Sequence, residues 1–260
     1  MQHDMGNNVS FRSLKDEVSR EEWEARLALA ACYRLVDHFG YNVTPANHIT
    51  ARIPSEPEHF LINPGGYLFG EICASSLVKI DINGNILSEA PTGIVNPAGY
   101  VIHSAVLNAR PDVNCVVHLH TVPGIAVSAQ KHGLKFLCQE SLRFYGRIGF
   151  HEYEGVARET SECERLSHDL GDNLVLILRN HGSLVVGRTV AEAFNLTMNY
   201  ERSCEVQLAV QSSNDELVLP PQDVCQKAAN HRDARNVPVG DAAWKAYRRI
   251  ADLYYPSYKN

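Results

Sequence analysis

The stretch Leu174-Val-Leu-Ile-Leu178 constrains the fold of this chain more than any other. A strand with one wet face alternates apolar and polar residues, whereas an unbroken apolar run of this length fits a central strand covered on both faces, as well as a segment of buried helix. The signals on either side are helical. Ser161-x-x-Glu164 before it and Thr189-x-x-Glu192 after it have the spacing in which a hydroxyl caps the first helical turn. The first predicted helix closes at Gly171 and the second reaches about Gln211. Read as such a strand, the apolar run lies between two predicted helices, the pattern of an α/β chain.

The same two periodicities recur upstream. Residues 1–18 carry no periodic apolar pattern and are expected to form a loose arm. Ser19-x-x-Glu22 is another capping box, and Trp23, Leu27, Ala31, Leu35 and Phe39 follow at helical steps up to Gly40. Ile49–Ile53, Phe60–Ile62 and Leu77–Ile82 are short apolar runs stopped by Pro54, Asn63-Pro-Gly-Gly66 and Asn83-Gly84, and they read as antiparallel strands. Asn83-Gly84 predicts a two-residue hairpin turn with positive φ at both positions. Asn96-Pro97 opens a predicted helix over 98–109, Val113–His120 is a strand, a helix starts near Pro123, and residues 136–151 mix their periods. The main domain is set at 19–215. Leu219-Pro-Pro221 leads into an extension, 216–260, whose helix Asp241–Tyr255 carries Trp244, Tyr247, Ala251 and Tyr254 on one side, to dock on its own domain or on a neighbour.

A net charge of -6 without a basic block removes the electrostatic attraction on which nucleic-acid partners depend. Met1–Asn8 is polar, and no run approaches the roughly 20 apolar residues that span a bilayer. Seven scattered cysteines without a C-x-x-C pair fit reduced thiols. A cytoplasmic protein with neither nucleic-acid nor membrane partners is expected.

His118 and His120 flank one residue at the end of a predicted strand, where alternate side chains share a face. His181 lies in the turn after Leu178, where Gly182 would let the backbone pass close to an ion. Three neutral imidazoles are a known ligand set for zinc, with a fourth position open to water or substrate. Manganese and iron(II) are alternatives, because imidazole suits several ions. Among twelve histidines, a His-x-His spacing by itself also fits structural residues satisfied by hydrogen bonds.

Two blocks narrow the choice. Residues 100–121, Tyr-Val-Ile-His-Ser-Ala-Val-Leu-Asn-Ala-Arg-Pro-Asp-Val-Asn-Cys-Val-Val-His-Leu-His-Thr, and Arg179-Asn-His-Gly-Ser-Leu-Val-Val-Gly187 resemble the signature blocks of the class II aldolase/adducin family. The resemblance spans about residues 20–211, and the Glu140 region and His151-x-Tyr153-x-Gly155 draw it toward the adducin head branch. It implies a three-layer α/β/α fold around a mostly antiparallel sheet, a metal on His118, His120 and His181, and a ring-like homotetramer with active sites at subunit contacts. It also implies substrate-binding loops at Asn47 and at Gly65-Gly66, the latter offering backbone N–H groups to an anion.

One departure redirects the expected chemistry. Where the family's sugar-phosphate aldolases carry Ser-Ser-Glu ahead of the helix histidine, here His103, this chain has Pro97-Ala98-Gly99, and the glutamate base and two phosphate-binding hydroxyls are missing. Without that base, reactions that expel carbon dioxide or a carbonyl fragment are favoured, since no C–H proton need be removed first. The expected activity is a metal-dependent lyase, of aldolase or decarboxylase type, on a small anionic oxo or hydroxy acid through a metal-stabilised enolate. Glu140, His151 and Tyr153 can transfer protons and are the expected catalytic residues. Glu152 and Glu154 read as structural, His103 as structural or ligating, and Arg179 as a weaker candidate. The alternatives are a non-catalytic adducin-like binding module and an iron(II)-dependent oxygenase on the same scaffold.

Overall fold

The computed structural model describes residues 11–42, 44–88, 94–155, 160–213, 215–233 and 240–260, without the side chains at 97, 98, 160, 161 and 231–233. The first ten residues of the predicted arm and the cap expected from Ser161 lie outside the described residues.

Seven strands form one sheet: β1 (His48–Ile53), β2 (Glu56–Ile62), β3 (Val78–Asp81), β4 (Cys115–Leu119), β5 (Ile148–His151), β6 (Val175–Leu178) and β7 (Gly182–Gly187), in the order β3-β2-β1-β4-β7-β6-β5. Neighbours pair antiparallel except β5 with β6, which are parallel. The sheet is therefore mostly antiparallel, as expected. The short parallel edge strand β5 comes from the segment whose mixed periods concealed it.

Helices cover both faces. On one side α2 (Pro97–Ala109) and α4 (Thr160–Leu170) bury Ile102, Val106, Leu166 and Leu170 against Phe60, Val116, Leu176 and Leu184. On the other side α1 (Arg20–His38), α5 (Val190–Gln211) and α7 (Asp241–Tyr254) enclose Leu29, Leu35, Ile49, Val117, Leu119 and Phe194. Strand β6 is buried along its whole length: Leu176 and Leu178 face the first layer, Val175 and Ile177 the second. Each such side chain contributes roughly 1.5–3 kcal/mol through burial, so the unbroken apolar run anchors a three-layer α/β/α structure.

The capping boxes are half realised. Ser19 Oγ accepts the Glu22 N–H at 3.1 Å and Thr189 Oγ1 the Glu192 N–H at 3.1 Å. The Glu22 carboxylate, however, turns to Arg26 and Lys79, and that of Glu192 to Arg188. The Asn83-Gly84 expectation needs correction. Gly84 has φ of 86°, but Asn83 is not in the positive-φ region. Asp81 Oδ1 instead accepts the N–H groups of Asn83 and Asn85, a side-chain-built turn wider than the two-residue hairpin.

α6 (Gln222–Asp233), absent from the sequence reading because it buries little beyond Cys225 and Ala229, packs on the 3-10 turn Ser141–Phe144. The aromatic side of α7 docks on its own chain: Trp244 and Tyr247 lie 5.5 and 5.0 Å from the Phe194 ring, while Tyr254 stays half exposed beside His38. No described helix is long and apolar enough to cross a membrane.

Candidate metal centre

The site forms where β4 ends beside the β6–β7 turn. His118 is the penultimate residue of β4, His120 lies one residue past its end, and His181 immediately precedes β7. Asn180, with φ of 57°, is the one non-glycine residue with positive φ among the described residues, and it turns the chain sharply enough to bring His181 back over His120. Gly182 completes the approach. A Cβ there would stand 2.4 Å from the Leu119 carbonyl oxygen and 3.4 Å from His120 Cδ2, so the close approach of the neighbouring strand requires glycine.

His118 Nδ1 lies 3.0 Å from the Ser183 carbonyl oxygen. A carbonyl only accepts, so Nδ1 carries the proton and Nε2 presents a lone pair. Nε2 of His118 is 2.8 Å from Nε2 of His120, which is 2.9 Å from Nε2 of His181. At most one of these contacts can be bridged by a proton on His120; the lone pairs left facing each other suit a cation. Ligand atoms of the three residues lie within 4.8 Å of one another. Burial depresses all three pKa values, that of His181 to about 4, so the imidazoles are neutral and available as ligands near neutral pH. This donor set fits a divalent metal with a preference for nitrogen.

Two further histidines extend the cluster. His48 faces His118 directly in the β1–β4 register, with ring centres 4.8 Å apart. Its Nδ1 lies 2.8 Å from His103 Nε2, and His103 Nδ1 lies 2.7 Å from Thr50 Oγ1. Burial holds both imidazoles well below the usual histidine range. The His48 ring also explains Gly99. A Cβ at residue 99 would come within 2.7 Å of His48 Cδ2 and 2.9 Å of Cγ. Gly99 sits inside α2 without a positive φ, where glycine costs about 1 kcal/mol relative to alanine. Space, not backbone conformation, demands it. His103 is thus a hydrogen-bonded member of the chain leading to His48. His48 was missed in the sequence. Its i,i+2 spacing to Thr50 repeats the His118–His120 pattern, but its partner strand lies about 70 residues away, beyond the reach of local periodicity.

Asn47 is buried and its Oδ1 accepts the His120 N–H at 2.8 Å, holding the end of β4. The Gly65 N–H is bonded to the Ile94 carbonyl oxygen at 2.9 Å, while Gly66, with φ of 83°, has open space around it. Tyr153 stands with its ring 6.3 Å from that of His181. His151 lines the same small cavity as Tyr153, Glu162 and His181; Asp169 holds its Nδ1 at 2.8 Å, and its buried Nε2 has no hydrogen bond among the described residues and lies 3.7 Å from Glu162 Oε1. Glu140 begins the 3-10 turn and forms no side-chain hydrogen bond or ion pair with a described residue. Glu154 pairs with Arg165. Arg179 lies over the Phe150 ring, donates to the Gln130 carbonyl at 2.8 Å, and approaches the exposed Glu152 at 3.7 Å. A separate groove of about 990 Å³ beside α1 and β1 contains none of the predicted site residues.

Fold and ligand set together define an α/β/α domain built to present a histidine-lined centre at one end of its sheet. The pattern of the Class II Aldolase and Adducin N-terminal domain matches residues 27–208, and the chain belongs to that family. A crystal structure of an aldolase II superfamily protein from Pseudomonas syringae is 46% identical, with a TM-score of 0.88 over 96% of this chain and 100% of that one. L-fuculose 1-phosphate aldolase from Glaciozyma antarctica is 26% identical, with a TM-score of 0.77 over 95% and 96% of the two chains. Mouse alpha-adducin is 47% identical over 199 residues, 75% of this chain but 27% of adducin.

Proposed function

We propose that this chain is a divalent-metal-dependent carbon–carbon lyase acting on a small anionic oxo or hydroxy acid. The observation that carries the proposal is the convergence of three neutral imidazole nitrogens, those of His118, His120 and His181, whose contacts a proton on His120 can bridge at most once. When bound there, the ion supplies a Lewis acid that stabilises negative charge developing on a substrate oxygen. Zinc is the first choice for this ligand set and manganese or iron(II) the alternatives. The chain's own contribution is to hold the site in shape: the Ser183 carbonyl fixes the His118 tautomer and Asn47 secures the His120 backbone. His151 and Tyr153, sharing a cavity with His181, are the proposed proton-transfer groups, with Glu140 as a further candidate. Gly66 is the proposed backbone contact for substrate, and Gly65 and Asn47 shape the surrounding loops. A small-molecule substrate and a homotetramer are proposed on family grounds.

Similarity to a fuculose-phosphate aldolase supports carbon–carbon cleavage, while Gly99 argues against that enzyme's chemistry being copied residue for residue. The higher identity to alpha-adducin favours a second reading, a binding module that keeps the histidines without turnover. Elemental analysis of the purified protein, with turnover assays on a panel of 2-oxo, 3-oxo and hydroxy acids, separates the two. About one divalent ion per chain is expected, with cleavage abolished by chelation and by His118→Ala. Folded, metal-replete protein that cleaves none of the panel would leave the binding-module reading standing.

A further inference from the structure

His48 lies outside the three-histidine set but is held tightly beside it. It is 2% exposed, its Nδ1 is spent on His103, and its Nε2 has no hydrogen-bond partner among the described residues. The proton order along the chain can be assigned from the network. Thr50 Oγ1 is fully buried, and its one partner among the described residues is His103 Nδ1. A buried hydroxyl that accepted from His103 would leave its own proton unused, so the favoured order has Thr50 donating to His103 Nδ1. His103 Nε2–H then donates to His48 Nδ1, and the remaining proton of His48 sits on Nε2. The relay ends in a donor beside His118, in a space kept open by the missing side chain of Gly99.

We propose that His48 is a substrate-binding residue, whose Nε2–H donates a hydrogen bond to an anionic oxygen of the acid held at the metal centre, and that Thr50 and His103 position it for that role. The inference rests on the metal-centre reading above and deepens it. A neutral donor at this place recognises a carboxylate or a developing oxyanion and gives nothing to a cationic or purely apolar ligand.

Two measurements test it. In the metal-free protein, long-range proton–nitrogen NMR spectra report imidazole tautomers: His48 is expected with its proton on Nε2, and Thr50→Val, which removes the start of the relay, is expected to shift that population. In the cobalt(II)-loaded protein, oxalate is titrated while the visible absorption of the metal is followed. His48→Ala is expected to weaken oxalate binding about tenfold or more, at unchanged cobalt stoichiometry, with His48→Gln restoring part of the loss through its amide N–H. Gly99→Ala, which forces a methyl group into the imidazole, is expected to weaken binding similarly and to add no further loss to His48→Ala, because both act through one side chain. Wild-type oxalate affinity in a folded, cobalt-loaded His48→Ala or Gly99→Ala protein overturns the proposal, as does a His48 proton on Nδ1. Should His48→Ala not fold, His48→Gln and Gly99→Ala carry the test. If the wild-type chain takes up no cobalt, the metal reading itself has failed, a result distinct from cobalt uptake with oxalate affinity indifferent to residue 48.

Discussion

Glu201, in the middle of α5, is a fully buried carboxylic acid. The Thr121 hydroxyl donates to its Oε2 at 2.5 Å, and its Oε1 has no hydrogen-bond partner among the described residues. Burial pushes its pKa up from 4.5 to about 7. Between these pH values the folded chain retains a proton that the unfolded chain releases, so the stability linked to this group is complete below pH 4.5 and is lost as pH rises through 7. The loss is on the order of 3 kcal/mol. Glu201→Gln keeps an acceptor for Thr121 and removes the titration; denaturant unfolding at pH 5 and pH 8 should show the variant gaining on wild type at the higher pH, and equal differences at both would refute this account. Gly182→Ala acts more locally. Its methyl group meets the Leu119 carbonyl oxygen and must separate the strand ends that carry His118 and His181, so a cost of about 1–3 kcal/mol and diminished metal retention are expected, measured by unfolding and elemental analysis.

At the scale of elements, α1 buries two charged side chains besides its apolar stripe. The apolar residues at helical steps mark the stripe that meets the sheet, but Arg26 and Arg34 are also buried, at 0% and 1% exposure. Arg26 donates to the carbonyls of Ala74 and Leu77, and Arg34 to those of Gly70 and Ile72, so that two guanidinium groups clamp a segment with little regular structure of its own. In a helical sequence an arginine reads as solvent-facing, because burial is costly unless its donors are satisfied; here backbone carbonyls satisfy them. Replacing Arg34 by methionine keeps much of the volume and strands the carbonyls, each at about 1–3 kcal/mol. Faster amide hydrogen exchange over 69–77, with β4 and β7 still protected, is the expected result; uniform exchange across the chain would contradict the clamp.

For the whole molecule, the C-terminal segment completes the second layer. Ala251 and Tyr258 are fully buried, Tyr247 packs between Phe39 and Phe194, and the Asn260 carbonyl accepts the Ser75 N–H at 2.7 Å. Removing residues 241–260 uncovers the outer surfaces of α1 and α5. With roughly 1.5–3 kcal/mol per buried large side chain, the loss is on the order of 5 kcal/mol, comparable to the whole stability of many domains, about 5–15 kcal/mol. The truncated chain should melt far below the intact one or aggregate, as circular dichroism and light scattering would register. An unchanged melting curve would show that the segment merely rests on the surface.

What the sequence determined by itself was local. Capped apolar helices, the doubly buried strand at 175–178 and the shared face of His118 and His120 all follow from spacings of a few residues, which the backbone converts directly into geometry. The blocks around His118 and His181 carried family membership as well. Tertiary structure decided everything that depended on register between distant strands: that β1 sets His48 opposite His118, that the glycine at 99 is a vacancy filled by that imidazole, and that Gly182 answers to Leu119 across the sheet. It also placed α6 and the parallel edge strand β5, which are too short or too polar to show a clear period. Local spacing says which way a side chain points from its own backbone; which side chain meets it there is set by hydrogen-bonded pairing between segments scores of residues apart.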